Sequence, residues 1–460
     1  MGDGPILARA TDIRGCLSVG VEGPVVTDDE RLLASERVQQ SLIAVSGATR
    51  FMSGILMGTA MAVYVGRSGS EFAVSMVLTA YFLGMTVFAP FWGAVADVTG
   101  RRRAVMVATG LLATLAVLPL TVVDGVWGPI GLRALYAVFA VGFGPVMLAI
   151  VSERGGAEGR GQSLGFYNSA RGAGFAGGQL VVGVLLGLLV PASLYLVIAA
   201  VSLLSTAAAA LVADPTPSTD RDPDAGEVLA EVRRRLLPAV DDREHLRTNG
   251  LWVLYVALAL RNMTVLGVMS LMPVYLTRDV LFAEVVLAGV ALPPETVMGA
   301  LLAINPAGQT VFMYLFGRIA DAAGRKPLIV VGMAGSGLFA VVEAVATVPG
   351  GLLARTLVAG AGLVVIAAAF SAMTTGALAF IGDVAPAARE SELMGLRSTA
   401  KGVGGVLGPP IIGGVATVAG IEAAFAVGST LAVLAAGLAF AGLVESGPVA
   451  PDPSPAPGDD

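Results

Sequence analysis

The chain carries twelve separate runs of roughly 20 or more mostly apolar residues, divided by charged residues, Gly or Pro. A helix of that length crosses a hydrocarbon core of about 30 Å. The runs fall at approximately 41–66, 72–96, 104–123, 130–152, 162–190 and 191–213, then 249–277, 296–320, 327–347, 352–382, 392–416 and 420–443. Charged residues make up only 13% of the chain, against about a quarter in a domain that must face water. Lipid is therefore the solvent for most of it. In lipid each backbone N–H and C=O must be satisfied internally, so the runs predict an all-α membrane protein of twelve transmembrane helices.

The segments between and around the runs divide the chain further. Residues 1–40 are polar, with Arg9, Arg14, Arg31 and Arg37 among acids, and show no cleavable signal pattern. Residues 41–213 form a first six-helix bundle and 249–443 a second. The linker, 214–248, opens with Pro215 and Pro217 and is dense in Asp, Glu and Arg, with an amphipathic helix expected near 226–237. The Pro-, Ser- and Asp-rich tail, 444–460, is expected to be disordered. An even number of spans puts both ends on one side. That side would hold Arg101, Arg102, Arg103, Arg154, Arg160, the linker arginines, Arg318, Arg325, Lys326, Arg389 and Arg397. The other keeps Arg67 and Arg278, with Arg133 and Arg355 near helix ends. Lys and Arg favour the cytoplasmic side, so both termini are expected there, in a plasma-membrane protein.

The halves repeat one another. GAVADVTGRRR at 93–103 matches GRIADAAGRKP at 317–327, a shift of 224 that also carries TVF at 86–88 onto 310–312. A shift of 230 brings Gly165, Arg171, Gly174, Gly178 and Gly183 onto Gly395, Lys401, Gly404, Gly408 and Gly413. A shift of 211 pairs Arg50 with Arg261, Met61 with Met272 and Tyr64 with Tyr275. Three shifts that preserve helix order predict two pseudo-symmetric bundles with a site at their interface.

The twice-occurring loop resembles the signature between the second and third helices of the major facilitator superfamily, a G-x-x-x-D-x-x-G-R-R/K pattern. The resemblance covers about residues 41–443 and implies that family's fold and alternating-access transport. Physically, Asp97 stands where it can cap the third helix, Gly93 and Gly317 favour close helix approach, and Gly100 permits a tight turn. An acid at the end of the fourth helix, with a loop arginine, resembles another family signature. It implies a latch on the cytoplasmic side formed by Glu153 with Arg101 and Asp383 with Arg325, with Asp321 as the repeat of Asp97. The glycines of the fifth helix, Gly165, Gly174, Gly178 and Gly183, resemble the drug/proton antiporter motif in part, since Gln179 replaces its proline. They are also what close helix packing needs, as are Gly404 and Gly408; both readings stand.

Four basic residues fall well inside the runs: Arg50, Arg171, Arg261 and Lys401. Arg50 lies about nine residues in, roughly 14 Å deep at 1.5 Å per residue. No Asp or Glu falls in the middle of any run. An unpaired charge in the membrane must face a cavity or a partner. Either these groups belong to the gate and reach inner-end acids, or they line a central cavity and attract an anion. Arg171 and Lys401 suit the gate; Arg50 and Arg261, with Asn262, Gln309 and Asn168, suit substrate. Asn305, Gln179 and Tyr275 are further polar groups at depth. Coupling to protons would need Glu343, an inner acid or the substrate itself.

Cys16 and His245 stand alone in their residue types, and no run brings together paired carboxylates or a nucleophile with a base. The sequence thus predicts no enzyme, no cofactor and no metal site, and no nucleic-acid partner. A non-transporting sensor would append a sizeable soluble domain. The expected function is secondary transport of a small molecule across the bilayer by a monomer: ion-coupled efflux of an amphipathic, drug-like compound, or uptake or exchange of an anion. Protons or another ion would supply the coupling.

Overall fold

The computed structural model describes residues 28–215, 225–236, 244–287, 289–386 and 389–446, apart from the side chains of 28–34, 157–158, 225, 236, 244–245, 287, 321 and 390–392. The side chain of Asp321 and most of the expected tail thus lie outside the described residues, as do His245's side chain and residues 1–27. Two compact units result, residues 1–41 and 42–460. The described part of the first is the opening stretch of α1 (Asp28–Gly66).

The second unit continues with α2 (Glu71–Thr99), α3 (Arg102–Val117), α4 (Trp127–Ala140), α5 (Phe143–Arg154), α6 (Gly156–Leu188) and α7 (Pro191–Ala210). Two short helices follow, α8 (Ala225–Leu236) and α9 (Glu244–Arg247). Next come α10 (Leu251–Tyr275), strands β1 (Val285–Leu287) and β2 (Val290–Leu292), α11 (Pro294–Ala323), α12 (Arg325–Ala344), α13 (Leu352–Val384), α14 (Glu390–Ala419) and α15 (Ile421–Gly442). Among the described residues twelve spans are long and apolar enough to cross a membrane, with α4 and α5 together making the fourth. Each coincides with one predicted run to within a few residues, and α8 forms where the amphipathic helix is expected.

Local chemistry sets the helix ends. Ser70 caps α2 by accepting a hydrogen bond from the Ala73 N–H at 3.3 Å. Gly100 turns the chain into α3 at φ 63°, a conformation that favours glycine. Pro191 starts α7 at its first turn, where the missing N–H is harmless. Two features depart from the sequence reading. The fourth span is broken between Ala140 and Phe143, because Gly142 lies against the Trp92 ring and Trp92 Nε1 donates to the Val138 carbonyl at 2.7 Å. The expected loop after α10 instead runs through a π-helical turn, Leu276–Val280, into an antiparallel hairpin pairing Val285 with Leu292. β-Branched residues around Gly289, at φ 84°, account for the hairpin.

Close approach at small residues builds the bundles. A Cβ on Gly174 would strike the Ala48 carbonyl of α1, and one on Gly178 would lie 3.2 Å from Ile55. A Cβ on Gly404 would lie 2.5 Å from Asn262 Cβ, and one on Gly408 would strike the Met263 backbone, joining α14 to α10. These four glycines are packing contacts, as the sequence allows. Gly317 is a correction: nothing lies within 4 Å of its missing Cβ.

The two halves meet along two seams. In one, α2 lies on α14: Phe72 N donates to Thr417 Oγ1 at 2.9 Å, Gly413 meets Ser75, Gly405 meets Phe82, and Gly402 would place a Cβ 2.6 Å from Thr86 Oγ1. In the other, α6 lies on α11, with Gly183 and Gly299 backbone to backbone, while a Cβ on Gly172 would only just reach Thr310 Oγ1 at 3.9 Å. Both seams run from one membrane face to mid-helix. That face is closed further by Gly66 against Val274 and by Arg278 with Glu71 at 3.0 Å. The opposite face carries the Arg101–Arg103 loop, α8, and the Arg325–Lys326 turn, and is the basic face. Toward it the seams stop: missing Cβ atoms on Gly161 and Gly165 of α6, Gly317 of α11 and Gly395 of α14 meet nothing within 4 Å. The halves are joined at the far face and parted at the basic face.

The Gly183–Gly299 contact leaves no room for a side chain. In a Cys16→Ser background, Gly299→Leu should leave helix content unchanged and make a cysteine at Thr296 reactive to an impermeant maleimide from the far face. Labelling as slow as in the Gly299 protein would show that the seam is not what seals that face.

Candidate functional site

Acids on the basic face are paired with arginines. Asp97 lies in the last turn of α2, so it does not cap α3, whose first residue follows Arg101 with no side-chain cap. Its oxygens instead meet Arg102 at 3.2 Å and Arg235 of α8 at 2.9 Å. Glu153, expected to pair with Arg101, meets Arg102 at 2.6 Å. Arg102 thus joins the ends of α2 and α5. In the second half Arg325 Nε meets Asp383 at 2.8 Å, as expected. Glu445 accepts from the Arg325 N–H at 2.6 Å and the Lys326 N–H at 3.1 Å, while Ser446 donates to Asp383 at 3.0 Å. Chain segments after the last helix of each half therefore return to the equivalent loop.

Gly93 has its use here: its missing Cβ would lie 2.9 Å from Arg235 Nη1 of α8 and 3.8 Å from Pro145 of α5, so it makes room for the linker arginine as well as for a neighbouring helix. Glu231 binds Arg234 at 2.7 Å and Arg235 at 2.8 Å. Those hydrogen bonds hold its carboxyl below the ordinary carboxylate value. A depressed carboxyl pKa contributes stability above its unfolded value, and that contribution is lost as pH falls through the folded one. Beside this face a cavity of about 740 Å³ is lined by Leu148, Ser152, Glu153, Arg160 and Leu164.

The charges at depth are different. Arg50 is 5% exposed, and its Nη1 donates to Ser202 Oγ at 3.3 Å, with Tyr136 and Phe143 rings at 5.6 and 5.9 Å. Arg261 is 1% exposed, donates to Ser336 Oγ at 2.9 Å and Asn262 Oδ1 at 3.4 Å, and lies 5.4 Å from the Phe370 ring. Arg171 is half-buried, donates to Asn168 Oδ1 at 3.0 Å, and stacks on Phe51 at 4.3 Å. Among the described residues none of these arginines, nor Lys401, has an ion pair with a carboxylate. Neither Arg50 nor Arg261 reaches Glu153 or Asp383; each is held by a serine of its own half.

Lys401 is exposed although it sits well inside α14, next to the end of the α2 seam. Arg397, Arg171 and Arg261 lie close enough for their charges to act on it. Three helices, α6, α10 and α14, thus bring four cations to the region where the halves part. The sequence places Arg397 on the cytoplasmic side, inside the run 392–416, without marking it as a charge at depth. Its spacing of four from Lys401 on one helix was the available signal. Asn168, exposed beside Arg171, belongs to this group. Asn262 is buried against Gly404, and Gln309 donates to Asn305 at 2.9 Å, so both are held within their half. Gln179 accepts from Thr59 at 3.1 Å. Glu343 is fully buried with neither carboxyl oxygen hydrogen-bonded, while Tyr275 donates to its backbone carbonyl.

A twelve-helix body in two joined halves, with polar groups where they part, defines a membrane transporter. The Major Facilitator Superfamily model matches residues 41–294 and 282–459, and the chain belongs to that family. Among solved structures it resembles the nucleoside transporter NupG, at 13% identity and TM-score 0.71, covering 88% of this chain and 98% of that one. A POT family transporter in complex with 5-aminolevulinic acid matches at 10% identity and TM-score 0.71, covering 87% and 95%. The POT family transporter PepTSo matches at 14% and 0.67, covering 87% and 97%. Among curated proteins none matches the sequence. The chain is a multi-pass membrane transporter of a small molecule, not an enzyme.

The basic-face pairs are partly exposed, and such pairs contribute about 0–1 kcal/mol each. Asp97→Asn should therefore leave an inserted, folded protein whose transport rate falls at least tenfold. Arg235→Ala, which removes only the linker's contact, should fall less. A rate in Asp97→Asn equal to the parent would show that these pairs do not govern the conformational cycle.

Proposed function

We propose that the protein is a secondary transporter whose substrate carries an anionic group, bound at Arg171, Arg397 and Lys401 where the halves part. The observation that carries this reading is a set of basic side chains at depth with no ion-paired carboxylate among the described residues. A cation in a low-dielectric setting attracts an anion far more strongly than one in water. It is also costly to leave uncompensated. A small carboxylate or phosphate would supply the missing charge, with Asn168 as a neutral donor. Arg50 and Arg261, at equivalent places in the two halves, would extend the positive field inward.

The excess of Lys and Arg on the basic face supports a cytoplasmic location for it and for both termini, in the plasma membrane. The described form is then the inward-facing one, and alternating access would join the halves at the basic face as they part at the far face. The latch pairs of Asp97, Glu153, Arg325 and Asp383 would rearrange in that exchange. Efflux of a drug-like compound draws less support, because Gly174, Gly178 and Gly183 of α6 are accounted for by packing on α1 and α11. Glu343 is the buried acid best placed to couple a proton, since no cation fixes its charge.

Reconstituted protein should take up or exchange radiolabelled inorganic phosphate, succinate or benzoate faster than protein-free vesicles, with neutral glycerol at background. Lys401→Gln and Arg171→Gln should each lower the anion rate at least tenfold. Movement of only neutral or cationic amphiphiles, unaffected by these substitutions, would overturn the anion reading.

A further inference from the structure

Arg133 is absent from every role so far. It lies in the second turn of α4, near enough to the far face for its long side chain to reach water there. It does the reverse: it is turned inward and is 3% exposed, while Trp127 at the start of the same helix is 61% exposed. Its guanidinium lies 4.9 Å from the Tyr81 ring and 5.3 Å from the Tyr136 ring. Nη2 reaches the Gly54 carbonyl only at 3.5 Å, and neither Nε nor Nη1 has a partner. Space is kept for it by α1: a Cβ on Gly58 would stand 3.2 Å from Nη2.

A guanidinium has five N–H donors in a flat fork suited to carboxylate or phosphate oxygens. Here at most one is used: aromatic rings flank the group, and Nε and Nη1 are buried without a hydrogen-bond partner. The Tyr136 ring stands 5.3 Å from the Arg133 guanidinium and 5.6 Å from that of Arg50, which ties this pocket to the basic group at mid-depth. The residue after Tyr81, Phe82, packs on Gly405 of the other half, so the pocket lies beside the interface along which the halves move.

We infer that Arg133, between Tyr81 and Tyr136, is a second anion-binding station, deeper than Arg171 and Lys401 and on the far-face side of them. This rests on the anion reading above. An anion entering from the basic face meets Arg171 and Lys401 first and Arg133 last. A structural arginine would be expected to hold its surroundings together through its donors, and this one leaves most of them idle.

The test uses the purified full chain at constant ionic strength, with inorganic phosphate, succinate and benzoate each titrated while thermal unfolding and binding are followed. Arg133→Gln should raise the Kd of the tightest anion at least tenfold. The anion-free protein should unfold at the same temperature as the parent or higher, because an uncompensated buried charge has been removed. Arg133→Lys should recover part of the affinity. An unchanged Kd in Arg133→Gln, with affinity still lost in Lys401→Gln, would overturn the station and leave the anion reading intact. A lower unfolding temperature with no recovery in Arg133→Lys would make Arg133 structural. If the parent binds none of the three anions, the anion reading fails and the station with it.

Discussion

Positive charge held inside a low-dielectric bundle without its counter-ion is the constraint around which this protein is arranged. The desolvation penalty is several kcal/mol per ion even after relaxation. Arg50, Arg133, Arg261 and Arg171 soften it with what their own half offers: serine hydroxyls, asparagine, and the faces of Tyr81, Tyr136, Phe51 and Phe370. A hydroxyl or a ring does not neutralise a charge. On the proposed reading, a bound anion would supply the rest of the compensation and so link substrate binding to movement of the halves.

The rim follows the opposite rule. Asp97, Glu153 and Asp383 each meet an arginine, and these pairs lie at helix ends where water screens them. Pairs of that kind are weak enough to be exchanged during a cycle. The segments that follow α7 and α15 add contacts to the same loops through Arg235 and Glu445. Each half therefore closes its own basic-face loop with chain that leaves that half. Movement of one half against the other leaves the contacts inside each half in place, while the Gly183–Gly299 and Gly402–Thr86 contacts between them must change.

Much of the fold was legible because lipid imposes a length and a polarity that apolar runs report directly. Gly100 and Pro191 mark their turns in the residue itself. Less legible were the break at Gly142, which depends on Trp92 from another helix, and the true neighbours of Gly93 and Gly317, which depend on how α8 and α11 lie. Depth in a helix flagged Arg50, Arg171, Arg261 and Lys401, but not direction. Arg133 passed for an interfacial residue because the sequence records its distance from the helix end and not the way its side chain turns. Asp97 looked like a cap because the boundary between α2 and α3 falls only a few residues away.

The claim most open to direct test is that an anion bound among the mid-depth cations draws the halves together at the basic face. Spin labels at Gly161 of α6 and Gly395 of α14, where side chains meet open space, would report that separation by pulsed electron resonance. With rising phosphate, succinate or benzoate in lipid nanodiscs, the distance distribution should shift to shorter values, and Lys401→Gln should abolish the shift. A distribution that stays the same at saturating concentrations of an anion shown to bind would contradict the account.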